Sequence, residues 1–310
     1  MNEFLFPEYD NCKLCPRDCG VNRNKGEYGF CHVDNRLAIG SICRHTGEEP
    51  PISGQYGIAN VFFMHCTLQC QFCQNRQISL NKVDLKPYIF EVQEVVEKLM
   101  LLLDQGCKAV GFVSPTHYIP HVKRIISELR SNGYYPSFVY NTSGYENVEQ
   151  LKELEGYIDV WLPDFKYSDN VLARRLSKAS NYPEVAVTAI KEMYRQKGST
   201  LIVDELAQAV SGLIIRHLVL PGYIENSMKV LETIADEIST NVHISLMSQY
   251  NPQFYSHTDL ALQRPLYLQE YEVVVQHFYE LGFHKGWIQE MESHQTYNPD
   301  FEQKHPFEKT

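Results

Sequence analysis

The chain has 310 residues, of which 44% are hydrophobic and 12% aromatic, which is enough apolar material for a sizeable core. It has 28 Lys and Arg residues and 38 Asp and Glu residues. This excess of negative charge argues against a nucleic-acid partner, because nucleic-acid binders carry basic patches. The sequence lacks an apolar run of about 18 residues and a signal peptide, which excludes a membrane span and predicts a cytoplasmic protein.

The first segment, residues 1–55, is rich in Cys, Gly, Pro, Arg and Asn, and it predicts an irregular lobe held together by a metal. Four of its cysteines have the spacing C-x2-C-x3-C-x11-C, which suits tetrahedral zinc or a second, fully ligated iron–sulfur cluster. We expect zinc, and Cys43 or His45 as a substitute for one ligand. The alternative is a set of unliganded thiols in a loop-rich lobe. The four cysteines are Cys12, Cys15, Cys19 and Cys31.

Residues 56–290 alternate between buried strands and amphipathic helices, which predicts βαβ units and a parallel sheet. The remaining residues, 291–310, predict a polar surface tail. Before the fifth strand, the segment GSTLIVDELAQAVSG predicts an inserted hairpin. The predicted strands are GIANVFFM, KAVGFVS, PSFVYNT, YIDVWLP, GLIIRHLVLP and VHISLMS, and the predicted helices are FEVQEVVEKLMLLLDQG, PHVKRIISELRSNG, NVEQLKELEG, NSMKVLETIADEIS and LQEYEVVVQHFYELG.

A cysteine triplet, C-x3-C-x2-C, directly follows the first of these strands, in VFFMHCTLQCQFCQN. Thiolate-rich sites select zinc or iron–sulfur clusters. Structural zinc takes four protein ligands, so three close thiolates favour a cubane cluster with one open iron. The alternative is three ordinary buried thiols. The cysteines are Cys66, Cys70 and Cys73.

Polar residues follow the next strands, at the carboxyl ends where α/β folds place their sites. Ser114, Thr116 and His117 follow the second strand, and Asn141 ends the third. Ser114 and Thr116 have hydroxyls that can accept or donate hydrogen bonds in a binding site. His117 is as well explained by a satisfied histidine in a turn.

Charged residues mark the ends of the fourth and fifth strands. Asp164 and Lys166 are two residues apart on an extended chain, so both side chains point the same way and can meet one ligand. The alternative is a solvent-exposed ion pair without a ligand. Arg216 lies in an apolar strand and requires a partner, either a ligand carboxylate or a salt bridge to a helix.

Taken together, the segments CKLCPRDCGVNR, GEEPPISG, CTLQCQFCQN, SPTHYIP, PDFKY and RHLVLPG resemble the radical S-adenosylmethionine (SAM) superfamily, in particular the group related to pyruvate formate-lyase activating enzyme. The resemblance covers nearly the whole chain. It implies an open, partial (β/α)6 TIM-like barrel whose [4Fe–4S] cluster is held by Cys66, Cys70 and Cys73, with SAM chelating the open iron.

The resemblance also implies residue roles. Phe72, before the last cysteine, belongs to the cluster signature, and Asp164 and Lys166 match the activase DxK pair. An arginine at the position of Arg216 meets the SAM carboxylate. The usual GGE-like turn after the second strand is absent, so Ser114 and Thr116 would have to supply its acceptors.

The implied reaction is the reductive cleavage of SAM to a 5′-deoxyadenosyl radical that abstracts hydrogen from a substrate. The leading substrate is the glycine backbone of a partner glycyl radical enzyme, and a flavodoxin- or ferredoxin-type protein would be the reductant. An alternative is a radical SAM enzyme that acts on a small molecule or on another protein or peptide. A rival of another class is a non-catalytic iron–sulfur or zinc protein, which SAM binding would exclude.

Overall fold

The structure is a computed structural model that describes residues 5–254, 259–291, 293, 298–303 and 305–307. The predicted tail, 291–310, therefore lies partly outside the described residues. Within those residues, none of the helices combines the length and the apolarity needed to cross a bilayer.

The strands include all six that the sequence predicts, together with four more. They are β1 (Leu37–His45), β2 (Ile58–Phe63), β3 (Ile89–Phe90), β4 (Ala109–Val113), β5 (Ser137–Thr142), β6 (Val160–Pro163), β7 (Ile202–Val203), β8 (Ala209–Leu218), β9 (His243–Met247) and β10 (Gly286–Ile288).

Helices follow most of these strands, as parallel connections require. They are α1 (Pro50–Ser53), α2 (Arg76–Ser79), α3 (Val92–Asp104), α4 (Ile119–Ser131), α5 (Val148–Glu153), α6 (Asn170–Ser177), α7 (Tyr182–Lys197), α8 (Ile224–Glu237) and α9 (Leu268–Glu280). Their apolar faces pack on the sheet: Val95 and Leu99 of α3 and Ile125 and Leu129 of α4 are fully buried.

The sheet has the order β10-β9-β8-β6-β5-β4-β2-β1-β3, with β7 paired to β8. The run from β2 to β10 is parallel, and β1 is antiparallel to β2 and β3. In the described part of the chain, the edge strands β3 and β10 pair on one side only, so the sheet does not close. The predicted open, partial (β/α)6 barrel is confirmed, with its six core strands in sequential order.

Three local predictions need correction or completion. The expectation of irregular structure throughout 1–55 was wrong for Leu37–His45, because β1 joins the main sheet by pairing with β2. The predicted hairpin before the fifth strand is present, but its second arm is the start of β8 rather than a separate insert. Helices α6 and α7, between the fourth and fifth predicted strands, were not predicted.

Sheet register explains why the polar strand ends lie together. Val113 pairs with Asn141, Thr142 pairs with Pro163, and a parallel bridge joins Asp164 to Arg216. The carboxyl ends of β4, β5, β6 and β8 are thereby aligned along one edge.

Candidate active site

A cavity of about 390 Å³ opens at this edge, within the size range of small-molecule sites. Its wall contains the cysteine triplet and most of the polar residues that the sequence singled out. It also contains residues from the β1–β2 connection and from the C-terminal part of the chain. The lining residues include His45, Glu48, Glu49, Cys66, Cys70, Phe72, Cys73, Ser114, Asn141, Asp164, Lys166, Arg216, Ser245 and Phe307.

The triplet lies on the loop that leaves β2, and each of its sulfurs accepts one hydrogen bond. The Leu68 backbone N–H donates to Cys66 Sγ at 3.4 Å. The hydroxyl of Ser177 donates to Cys70 Sγ at 3.0 Å, and that of Ser79 donates to Cys73 Sγ at 3.3 Å. Donors aimed at sulfur favour a thiolate, which is the form that binds iron.

Burial has the opposite effect on these thiols. It raises the pKa of Cys66 to about 12 and the pKa of Cys70 to about 11. Without metal, both groups would thus hold their protons at neutral pH, and metal binding would displace them.

No three His, Cys, Asp or Glu side chains of the described residues are arranged to hold a single metal ion. The three thiols of the triplet line one cavity, and in a cubane cluster each thiolate binds a different iron. The donor set of the triplet therefore fits a cluster.

Arg216 is the centre of a buried network of charges. Its Nε donates to Asp164 Oδ1 at 2.9 Å, its Nη1 to Glu48 Oε2 at 3.2 Å, and its Nη2 to Asn141 Oδ1 at 2.7 Å. The salt-bridge interpretation of Arg216 thus applies in this structure, with partners from a strand end and a loop rather than from a helix.

Asp164 and Lys166 also pair with each other, with Nζ and Oδ2 2.5 Å apart. Burial alone would raise the pKa of Asp164, but Lys166 and Arg216 outweigh it and keep the pKa below its usual value. Burial likewise disfavours the charge on Lys166, whereas Asp164 and Cys70 raise its pKa. Both groups are therefore charged, and Lys166 connects the network electrostatically to the triplet.

The other predicted site residues divide into two groups. Phe72 and Ser114 line the cavity, and Ser114 has a left-handed backbone with φ of 55°. The cavity wall does not include Thr116 or His117. Thr116 instead donates to Glu146 Oε1 at 2.6 Å, and His117 Nε2 lies 2.9 Å from the Met64 carbonyl.

Sequence reasoning missed one wall of the cavity, formed by His45, Glu48 and Glu49. Glu48, in the connection between β1 and α1, accepts through Oε1 from Nδ2 of Asn60 in β2 at 3.0 Å. Burial raises the pKa of Glu49, and one of its oxygens, Oε2, has no hydrogen-bond partner among the described residues. His45 Nδ1 is also unpartnered there, and its ring packs on Phe307 with centroids 4.0 Å apart. The alternating strand LAIGSICRH and the acidic pair before Pro50 were the available signals.

An open α/β sheet with a cysteine triplet beside a polar cavity at its carboxyl edge is the arrangement expected of a partial-barrel enzyme that binds an iron–sulfur cluster. Residues 60–231 match the model of the radical SAM superfamily. The chain belongs to this superfamily, which implies a [4Fe–4S] cluster, SAM as co-substrate and cleavage of SAM to a radical.

The chain is also similar to individual proteins. The chain is 30% identical over 272 residues to an uncharacterized protein of Methanocaldococcus jannaschii, covering 85% of this chain and 73% of that protein. It is similar in fold to Streptococcus suis SuiB bound to the precursor peptide SuiA, with a TM-score of 0.51 and 12% identity, covering 75% of this chain and 48% of SuiB. It thus spans about half the length of SuiB.

A domain of pyruvate-formate lyase-activating enzyme from Bacteroides vulgatus is a more distant match, with a TM-score of 0.39 and 15% identity. That match covers 56% of this chain and 93% of the domain.

Proposed function

We propose that Cys66, Cys70 and Cys73 bind the [4Fe–4S] cluster and that the adjacent cavity holds SAM. When bound and reduced, the cluster supplies the electron that cleaves SAM to methionine and a 5′-deoxyadenosyl radical, which abstracts hydrogen from the substrate. The observation that carries this proposal is that three hydrogen-bonded sulfurs and the Lys166 ammonium share one cavity with the Arg216 network.

Within this cavity, Phe72, Ser114, Asn141, Asp164 and Arg216 are the candidate SAM contacts. Among the described residues, Arg216 uses three of its five N–H donors, which leaves two for the SAM carboxylate. The carboxylates around it fix its orientation and keep the guanidinium at the cavity wall. Thr116 is not among these candidates, because it does not line the cavity.

For the substrate, we propose a glycine residue in a loop of a partner glycyl radical enzyme. The open sheet supports this, because a closed barrel filled by side chains would not admit a loop. A volume of about 390 Å³ is near the lower end for small-molecule sites, which favours a substrate that inserts only its reacting segment. A flavodoxin- or ferredoxin-type reductant in the cytoplasm would complete the system.

A second candidate is a radical SAM enzyme that acts on a small polar molecule. It is favoured by the unpartnered Glu49 Oε2 and His45 Nδ1 in the cavity wall, because a buried polar atom without a partner is costly until a ligand satisfies it. Such a substrate would carry hydrogen-bonding groups that reach these two atoms.

The test begins with anaerobic reconstitution and reduction by dithionite. The chain should then release 5′-deoxyadenosine from SAM, and the electron paramagnetic resonance spectrum of its cluster should change when SAM is added. Replacing Cys66, Cys70 and Cys73 by Ser should abolish both results. Cys107→Ser is the matched control, since this buried thiol donates to the Tyr56 carbonyl and lies outside the cavity wall.

A SAM-responsive signal that survives in the triple variant would refute the assignment of the triplet. With a glycyl radical enzyme added, the activase proposal expects a glycyl radical signal on that partner. Deoxyadenosine released without any radical on the partner would remove the activase proposal and favour the small-molecule candidate. Absence of SAM binding by the cluster-loaded chain would favour a non-catalytic iron–sulfur protein.

We also propose that the N-terminal lobe holds a metal through Cys12, Cys15, Cys19 and Cys31. Cys12, Cys15 and Cys31 are buried and Cys19 is exposed. Cys12, Cys19 and Cys31 all lie near Cys15, which supports a common site. Zinc and a second iron–sulfur cluster are the candidate occupants.

A further inference from the structure

The C-terminal end of helix α6 holds the loop that carries the cysteine triplet. The last carbonyls of a helix have no partners within the helix and need donors from elsewhere. At the end of α6 the triplet loop supplies them. The Leu176 carbonyl accepts from the Gln71 backbone N–H at 2.8 Å, and the Ser177 carbonyl accepts from the Gln69 backbone N–H at 3.4 Å. Because Cys70 lies between these two glutamines, α6 fixes the position of this cysteine.

Two hydroxyl groups connect α6 to the Cys70 sulfur. The Ser177 hydroxyl oxygen lies 3.0 Å from Cys70 Sγ and 2.6 Å from the Tyr167 hydroxyl oxygen. Ser177 and Tyr167 are completely buried, so bulk water does not compete with these contacts. Tyr167 directly follows Lys166 of the Asp164–Lys166 pair. The segment after β6 therefore acts on Cys70 in two ways, through the charge of Lys166 and through this pair of hydroxyls.

Binding of iron to Cys70 would fix the direction of both hydrogen bonds. A metal-bound sulfur has lost its proton, so it can only accept. Ser177 has one hydroxyl hydrogen and donates it to Sγ, which leaves its oxygen to accept from Tyr167. Burial raises the pKa of Tyr167 well above its ordinary value, so the phenol keeps the proton that it donates. The result is a hydrogen-bond relay, Tyr167–Ser177–Cys70, in which the first bond polarises the second.

We propose that Ser177, oriented by Tyr167, is a positioning residue that raises the reduction potential of the cluster at the triplet. This inference rests on the proposed function, since it takes Cys70 as a ligand of a [4Fe–4S] cluster. Reduction of the cluster increases the negative charge on its thiolate sulfurs. A hydroxyl that donates to one of these sulfurs therefore stabilises the reduced form more than the oxidised form, and hydrogen bonds to sulfur are one of the factors that set the potential of such clusters.

The three sulfurs of the triplet differ in their donors. Cys73 accepts from the Ser79 hydroxyl at 3.3 Å, and Cys66 accepts from a backbone N–H at 3.4 Å. The hydrogen bond at Cys70 is shorter than both, and its donor is itself hydrogen-bonded to a second hydroxyl. Ser177 should therefore influence the potential of the cluster more strongly than Ser79 does.

The test is a potentiometric titration of the full chain, reconstituted anaerobically with iron and sulfide and followed by electron paramagnetic resonance in the absence of SAM. Ser177→Ala should shift the midpoint potential of the cluster to a more negative value than that of wild type. Tyr167→Phe removes the second hydroxyl alone and should give a smaller shift in the same direction. Ser177→Thr keeps a hydroxyl at this position and should restore a potential close to that of wild type.

Ser227→Ala is the matched control for the loss of a buried hydroxyl. Ser227 is as completely buried as Ser177, but its hydroxyl lies 2.8 Å from His217 Nε2 rather than beside a sulfur. Its removal should leave the potential unchanged. A Ser177→Ala potential equal to that of wild type, or a shift that Ser227→Ala reproduces, would overturn the proposal. If Ser177→Ala does not bind the cluster, Tyr167→Phe provides the measurement, and an unchanged potential in that variant would overturn the relay.

The same samples separate this proposal from the proposed function, because the potential is measured without SAM. If the cluster shows the expected order of potentials but the wild-type chain releases no 5′-deoxyadenosine from SAM, the relay stands and the proposed function fails. If the wild-type chain cleaves SAM and the Ser177 and Tyr167 variants all have its potential, the proposed function stands and the relay fails.

Discussion

Glu146 provides a quantitative test of the structure beside the cavity. Its carboxyl is buried and accepts hydrogen bonds from the hydroxyls of Thr116, in the turn after β4, and of Tyr140 and Thr142, in β5. No described cation pairs with it. Burial raises the pKa of Glu146 from 4.5 to about 7, because the three hydroxyls offset only part of the lost hydration.

This rise in the pKa of Glu146 from 4.5 to about 7 corresponds to about 3 kcal/mol of folding free energy. Below pH 4.5 the folded and unfolded chains both hold the proton, so Glu146 has no effect on their balance. Between pH 4.5 and about 7 the folded chain keeps a proton that the unfolded chain releases, so the free energy of unfolding falls as the pH rises. Above about pH 7 the folded chain contains the buried carboxylate in its charged form, and the destabilisation is complete.

Glu146→Gln removes this titration and keeps most of the hydrogen bonds. We expect the free energy of unfolding of the variant, relative to wild type, to rise by about 3 kcal/mol between pH 4.5 and pH 8, measured by anaerobic urea unfolding. The same substitution at Glu97, on the exposed face of α3, controls for the loss of a surface charge. A difference between Glu146→Gln and wild type that stays constant across this range would refute the buried, proton-bearing carboxyl.

Two further predictions concern the charge network at the cavity. Arg216→Met should lower the free energy of unfolding by about 3–5 kcal/mol, measured by chemical denaturation. The reason is that the buried Asp164 and Glu48 carboxylates lose their shared cation. A loss below about 1 kcal/mol would contradict the network. Lys166→Met should lower the reduction potential of the triplet cluster in a potentiometric titration, because a cation near Cys70 is lost. An unchanged potential would show that Lys166 does not act on the cluster.

Periodicity predicted most of the barrel because its strands are buried on both faces and read as continuous apolar runs. The six core strands all match such runs, and their sequential order follows from the short βαβ connections. The strand-end rule then placed Asp164, Lys166 and Arg216 near the triplet, and parallel register brings them into contact.

Strand β1 and helix α7 escaped prediction because their local signals are weak. Strand β1 is interrupted by Gly40, Ser41 and Arg44, and it lies in a segment whose cysteines and glycines suggest loops. Helix α7 has Glu192 among its buried residues, so a charged side chain interrupts its apolar stripe. Both elements are stabilised by their contacts with the sheet, and the local sequence carries no information about those contacts.

The cavity wall formed by His45, Glu48 and Glu49 escaped prediction because of the strand topology. Because β1 is antiparallel to β2, its end at His45 lies beside Ile58, at the amino end of the parallel strands. The following residues turn into the interior, where Glu48 reaches Asn60 of β2 and Arg216 of β8. Gly111 of β4 permits this, since a Cβ there would collide with Asn60 Oδ1.

A closed barrel fills this space with layers of apolar side chains, and its chemistry is confined to the carboxyl face. In this open sheet, polar residues extend from that face through the interior to the opposite end. Glu49 Oε2 and His45 Nδ1, both unpartnered in the described residues, therefore line the same cavity as the strand ends that carry the predicted SAM contacts. A substrate in this cavity would meet two sets of polar groups, one that the motifs indicate and one that only the three-dimensional structure brings to the site.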